Sequence, residues 1–246
     1  MGFIRSAKTI REILGLETEP VAVFLLAPAD ERAASLDAFQ PVDAHRYCQL
    51  LMRARRGASV RLIPSELACP AAAAAFGFRP LPEGLASGKG LIGFGITREA
   101  ETGREMFREM PRLEAGRLAS IAACPLKDAP LTPDIVVVEG PPEKLMWLLL
   151  ADLNVAGGHR RKADTAVLQA TCVDSTVIPF LEQRLNFSLG CYGCREATDL
   201  APEETIVGFP ANGLEAIVDY LAYLNEKAVP RSRAKVVFEG LKKRAT

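Results

Sequence analysis

The chain has 246 residues, 49% of them hydrophobic, and its 30 Lys and Arg balance 30 Asp and Glu to a formal net charge of zero. That length suits one large domain or two small ones and supports a sizeable core. A zero balance supplies no field to draw nucleic acid or an anionic membrane, which leaves a small molecule, a cofactor or a protein as partner.

In chain order, residues 3–14 set Phe3, Ile4, Ala7, Ile10, Ile13 and Leu14 against Arg5, Lys8, Arg11 and Glu12 at helical spacing, with Gly15 placed to cap the end. This is a surface helix and not a signal peptide. The start Met1-Gly2-Phe3-Ile4-Arg5-Ser6 formally fits an N-myristoylation pattern, but the same residues supply the helix's apolar face. The longest apolar run, Leu145 to Ala151, is too short to span a bilayer. We therefore expect a reducing, cytoplasmic compartment, in which cysteines serve as metal ligands or redox thiols in preference to disulfides.

Gly, Pro and charge punctuation predicts strands at Val21–Leu26, Val60–Ile63, Leu91–Ile96, Leu118–Ala122, Ile135–Glu139, Thr165–Gln169, Asn186–Leu189 and Thr205–Phe209. Helices are predicted at His45–Arg56, Pro70–Phe76, Arg98–Met110, Pro142–Asn154, Asp174–Gln183 and Asn212–Lys227. A basic tail follows, Pro230 to Thr246, with one short strand at Lys235–Phe238. The order repeats, first strands being offset by 114 residues (Val21 to Ile135) and closing strands by 115 (Phe94 to Phe209). The expectation is an α/β fold, with α+β as the neighbouring class, built from two similar βαβ-containing halves, 1–114 and 115–246, duplicated and packed as one globular unit. In that frame Cys69 and Cys172 are counterparts.

Six cysteines against two histidines dominate the chemistry. Cys191 and Cys194 form a C-x-x-C in Leu189-Gly190-Cys191-Tyr192-Gly193-Cys194-Arg195, read as a glycine-flanked hairpin tip that presents two sulfurs to one centre. Cys69 precedes Pro70 and an alanine run, and Cys172 precedes Val173-Asp174; both are read at helix N-termini, where backbone N–H groups stabilise thiolates or an anionic cluster. Cys48 shares a helix with Leu51 and Met52, so core packing explains it as well as ligation does. Cys124, between Ala123 and Pro125, reads as structural.

Arg195 is placed to lower a thiolate pKa or to bond a cluster sulfide, the alternative being a surface ion pair. His45 and His159 sit in no metal-binding spacing. Arg53, Arg55, Arg56 and Arg61 read as a solvated face or an anion site. Gly88-Lys89-Gly90-Leu91-Ile92-Gly93 matches G-x-G-x-x-G but stands before a predicted strand, so it lacks the phosphate-cradling geometry.

At Arg46-Tyr47-Cys48-Gln49, Ala68-Cys69-Pro70-Ala71 with the alanine run to Phe76-Gly77-Phe78, Met110-Pro111-Arg112-Leu113, Gln169-Ala170-Thr171-Cys172 and Gly190-Cys191-Tyr192-Gly193-Cys194-Arg195-Glu196, the chain resembles the DUF169 family of uncharacterised prokaryotic proteins over nearly its whole length. The family carries no established activity to transfer. The resemblance implies a bacterial or archaeal source and cysteines typical at Cys48, Cys69, Cys172 and Cys191. It further implies a variable position at Cys194, a usual arginine at Arg195, and no motif at Cys124.

Four dispersed thiolates suit a [4Fe-4S] cluster better than zinc, whose structural sites usually use two close pairs. The expectation is an iron-sulfur protein held by Cys48, Cys69, Cys172 and Cys191, with Cys194 a further thiol, acting in electron transfer or cluster-dependent redox chemistry. The alternatives are a metal-free thiol oxidoreductase using Cys191 and Cys194, and a non-enzymatic metal- or small-molecule-binding module. A redox protein or small molecule is the expected partner, with no nucleic acid and no membrane, and the oligomeric state is open.

Overall fold

The computed structural model describes residues 2–229. In chain order it has α1 (Phe3–Leu14), β1 (Val21–Leu26), a 3-10 turn at Glu31–Leu36, β2 (Gln40–Pro41), α2 (Tyr47–Arg55), β3 (Val60–Leu62), α3 (Pro70–Ala75), α4 (Glu83–Ala86), α5 (Lys89–Gly93), α6 (Ala100–Arg108) and β4 (Ser120–Pro125). There follow β5 (Ile135–Gly140), α7 (Pro142–Val155), a π-helical segment (Ala170–Val177) running into α8 (Ile178–Glu182), β6 (Asn186–Ser188), α9 (Tyr192–Ala197), β7 (Thr205–Pro210) and α10 (Leu214–Lys227).

The strands form one mixed sheet in the order β2-β3-β4-β1-β5-β7-β6, in which only β2 and β3 run parallel. β1 and β5 sit at its centre because Val21-Ala22-Val23-Phe24-Leu25-Leu26 and Ile135-Val136-Val137-Val138 are apolar on both faces, and every residue of both strands is buried. Alternation divides their side chains. Val21, Val23, Leu25, Ile135 and Val137 join one core with α2, α3 and the π-helical segment. Ala22, Phe24, Leu26, Val136 and Val138 join a second core with α1, α7 and α10. The α/β architecture stands as expected, with helices on both faces of the sheet.

The duplication is not confirmed. Its first closing strand, Leu91–Ile96, is α5 and the turn after it: Gly88, at φ 78°, opens α5 against α6, where a Cβ would lie 2.0 Å from the Ala100 carbonyl oxygen. Thr165–Gln169 is not a strand either, since Val167 and Gln169 both have positive φ, 56° and 55°. In both places a short apolar run reads alike as strand or helix, and only packing separates them. The halves also differ in pairing: in the first, the only neighbouring strands, β2 and β3, run parallel with α2 between them, whereas in the second β5, β7 and β6 are antiparallel neighbours, and β4, C-terminal to residue 114, lies between β3 and β1.

The sheet order is nonetheless symmetrical about the β1–β5 pair, with β4 then β3 on one side and β7 then β6 on the other. α2, carrying Cys48, precedes β3 and packs on β4; the π-helical segment, carrying Cys172, precedes β6 and packs on β7. Cys69 follows β3 and Cys191 follows β6, each as the N-cap of a short helix. By position, therefore, Cys172 answers to Cys48 and Cys191 to Cys69, which replaces the expected pairing of Cys69 with Cys172.

Among the described residues no helix is long and apolar enough to cross a membrane. The expected tail strand, Lys235–Phe238, lies outside the described residues.

Candidate functional site

Tertiary contacts bring five of the six cysteines to one hollow. Arg46 N–H donates to Gln49 Oε1 at 2.9 Å, closing the first turn of α2 and leaving Cys48 at its second position. Gln49 Nε2 donates in turn to the Ala197 carbonyl of α9 at 3.2 Å. His45 and Leu67 form an isolated parallel bridge, with Ala68 N–H donating to the His45 carbonyl at 2.9 Å, and this lays the Cys69 loop beside the Cys48 helix.

Cys172 depends on an unusually close backbone approach. A Cβ on Gly208 of β7 would fall 1.8 Å from the Ser175 carbonyl oxygen, so only glycine lets the π-helical segment lie flat on the sheet. π-Helical geometry recurs at functional sites, and so does left-handed backbone at β-branched residues such as Val167, just upstream.

Cys191 caps α9 rather than sitting at a hairpin tip: its sulfur accepts from Cys194 N–H at 3.3 Å. Cys48, Cys69, Cys172, Cys191 and Cys194 all line a cavity of about 410 Å³. Its other lining includes Leu85, Leu91, Phe94, Ile96, Phe107 and Leu168, with Arg46, Gln169, Tyr192 and Glu196 also contributing.

Cys194 is buried at the focus of the sulfurs. Its Sγ lies 2.9 Å from Cys191 Sγ and accepts from Thr171 Oγ1 at 2.9 Å. Hydrogen bonds from Cys191 and Cys48, joined by Thr171, hold the Cys194 thiol pKa far below its usual range despite burial. Cys191 and Cys48 are pushed up, first by that same bonding to Cys194 and then by burial. Cys172 is raised by burial. In the metal-free protein the surrounding thiols and Thr171 thus favour negative charge on the Cys194 sulfur.

A polar floor underlies the thiols. Tyr47 Oη pairs with Thr176 Oγ1 at 2.8 Å, and burial raises the Tyr47 pKa. Glu139, on β5, pairs with Arg55 at 2.9 Å, and Arg55 also meets Asp199 at 2.9 Å and Glu204 at 3.2 Å. Burial lifts Glu139 to about 7 against the opposing pull of Arg55. Burial likewise lifts Asp174 to about 7, although Thr165 Oγ1 donates to it at 2.5 Å.

Sequence reasoning missed Glu139, Asp174, Tyr47 and Thr171. The one local signal was a glutamate ending an all-apolar strand, Ile135-Val136-Val137-Val138-Glu139. Arg55, read with a solvated face, is 3% exposed and anchors this ion network.

Arg195 donates to three backbone carbonyls, those of Ala201, Leu189 and Glu204, at 2.6–2.8 Å, and so ties the loop around α9 together. Cys124 is fully buried on β4 in the opposite core, where burial pushes its thiol up to about 12, as a structural cysteine requires. Among the described residues all six cysteines are free thiols, and no group of three or more His, Cys, Asp or Glu side chains is arranged to hold a single metal ion.

Comparison with known proteins gives a family without an activity. The family model of DUF169, described as an uncharacterised ArCR, matches residues 9–220. An uncharacterized protein of Methanocaldococcus jannaschii, MJ0308, is 30% identical over 224 residues, spanning 90% of this chain and 94% of the relative. No solved structure matches. With the match running from α1 into α10 and taking in all five site cysteines, the chain belongs to the DUF169 family.

Proposed function

We propose that the chain is a cytoplasmic iron-sulfur protein whose thiol wall holds a [4Fe-4S] cluster for electron transfer or cluster-dependent redox chemistry. The observation that carries the reading is the gathering of five cysteines from four separate elements around one hollow, while the sixth packs in the opposite core. The donor set is all thiol, as such clusters require, and a cubane gives each thiolate its own iron, so it asks for ligands spread around a hollow. Cys48, Cys69, Cys172 and Cys191 would hold it, and Cys194 stands beside them as a fifth thiol. When bound, the cluster supplies a one-electron redox centre. Tyr47 and Thr171, both buried, also line the hollow and would limit the access of water to a cluster bound there. A redox protein or a small molecule is the partner, consistent with the absence of net charge.

Anaerobic purification tests this directly. We expect a brown protein with broad absorbance at about 400 nm and about four irons and four acid-labile sulfides per chain. A colourless protein without iron or sulfide sinks the reading.

One observation favours a second reading. The Cys191 and Cys194 sulfurs lie 2.9 Å apart, and their hydrogen bonding favours negative charge on Cys194, an arrangement suited to a dithiol that cycles through a disulfide. A reducible Cys191–Cys194 disulfide in an iron-free protein selects it.

A further inference from the structure

A centre bound by the thiols leaves the rest of the hollow's lining unexplained. Much of that lining is apolar, with Leu85, Leu91, Phe94, Ile96, Phe107 and Leu168, and the whole cavity of about 410 Å³ is of small-molecule size. Leu91 and Phe107 are buried, whereas Phe94 is 66% exposed at the mouth. The glycine contact between α5 and α6 fixes this wall in place, since Gly88 and Gly103 approach more closely than any side chain would permit.

A polar handle sits at the rim. Arg46, at the start of α2, is exposed and has no carboxylate partner at ion-pair distance among the described residues. Its guanidinium is held over Gly193, 3.2 Å from where a Cβ would lie. Guanidinium binds carboxylate through two parallel hydrogen bonds. Glu196, exposed on α9, also lines the cavity, so beside Arg46 the lining has no excess positive charge to hold a phosphate dianion, and a monoanionic carboxylate paired with the Arg46 guanidinium is the better match.

We propose that the hollow binds a small aromatic or aliphatic carboxylic acid, its hydrocarbon part between the Leu91–Phe107 wall and the thiols and its carboxylate on Arg46. This names the substrate class of the site and rests on the thiol wall being its reactive side.

Calorimetric titration of the anaerobically purified protein tests it, with phenylacetate, its neutral counterpart phenylacetamide, and inorganic phosphate as probes. Iron and sulfide are measured on the same sample. Phenylacetate should bind saturably at one site, at least about tenfold more tightly than phenylacetamide, and phosphate should neither bind nor compete. Arg46→Gln should bring the acid down to the level of the amide and leave the amide unchanged, whereas Phe94→Ser should weaken both alike. Both side chains are exposed, so neither substitution threatens the fold. Equal binding of acid and amide, full acid affinity in Arg46→Gln, competition by phosphate, or no saturable binding each overturns the proposal. Acid binding by an iron-free protein keeps the pocket and removes the cluster; a loaded cluster without acid binding does the reverse.

Discussion

The two faces of the sheet share the same central strands and divide their residues one by one, yet they have different chemistry. Ala22, Phe24, Val136 and Val138 point into a core where α1, α7 and α10 supply almost nothing but hydrocarbon, and the one thiol there, Cys124, behaves as a small hydrophobe. Their neighbours Val23, Val137 and Glu139 point to the face that carries five thiols, the Arg55–Glu139 pair and Asp174. Burial is nearly as complete on this second face, so its polar groups persist through specific partners at a cost the apolar face meets only at isolated positions such as the Asp152–Arg161 pair. Both faces carry a large apolar core, and the chemistry is concentrated on one of them.

Exchanging the test between faces gives the largest contrast. Cys172→Ser should remove most of the iron from anaerobically purified protein, because a hydroxyl replaces a thiolate, while Cys124→Ser should keep it all; iron and sulfide analysis of the two reads the result. Equal iron in both would erase the distinction between the faces as drawn.

The reverse experiment follows. Leu148→Ala, fully buried in the apolar core, should lower unfolding stability by about 2–5 kcal/mol in a urea titration while leaving iron content unchanged. Iron loss without destabilisation would show the faces to be coupled.

The glycines on the two faces sharpen the comparison further. Gly208→Ala should cost roughly 3 kcal/mol and loosen Cys172, since the clash is with the Ser175 backbone, which cannot yield without moving the π-helical segment. Gly140→Ala should cost less than about 1 kcal/mol, because its nearest obstacle, Leu16 Cδ2 at 2.8 Å, is the end of a flexible side chain. Unfolding midpoints of the two variants decide between them.

A pH slope belongs to the thiol face alone. Glu139 is raised from 4.5 to about 7, so between those values the folded protein holds a proton that the unfolded chain has released. Its contribution to stability is complete below about 4.5 and is lost as the pH rises to about 7. Glu139→Gln should flatten this part of the curve by on the order of 2 kcal/mol, in urea titrations at a series of pH values. Asp174, raised in the same direction, adds to this slope, and Cys194, lowered, opposes it. Cys124, pushed up to about 12, adds none in this window, so variants of the apolar face should leave the slope intact.

Strong local signals carried most of the fold. β1 matches its predicted span, Val21–Leu26, because six apolar residues without Gly or Pro leave no competing structure, and α1 runs from Phe3 to Leu14 because its stripe and Gly15 agree. The failures were segments whose conformation neighbours impose. α5 exists because Gly88 packs on Gly103, and residues 165–169 are irregular because the π-helical segment must be delivered flat onto Gly208. β2, two residues long, has no pattern to detect. Cys69 was legible as a helix cap because Pro70 marks the first turn, whereas the Cys191 cap was mistaken for a hairpin because paired glycines fit either form.

By itself the sequence determined the α/β class, the central strands, the amphipathic first helix and the presence of six cysteines against two histidines. These follow from periodicity and residue chemistry, which act over a few neighbouring positions. Only the tertiary structure decided that Cys48, Cys69, Cys172, Cys191 and Cys194 share one hollow, that Cys194 lies at the focus of the sulfurs, and that Glu139 and Arg55 meet beneath them. Such meetings join residues far apart in the chain, and their geometry is set by strand order and by how closely a glycine lets two backbones approach, neither of which any local window of sequence records.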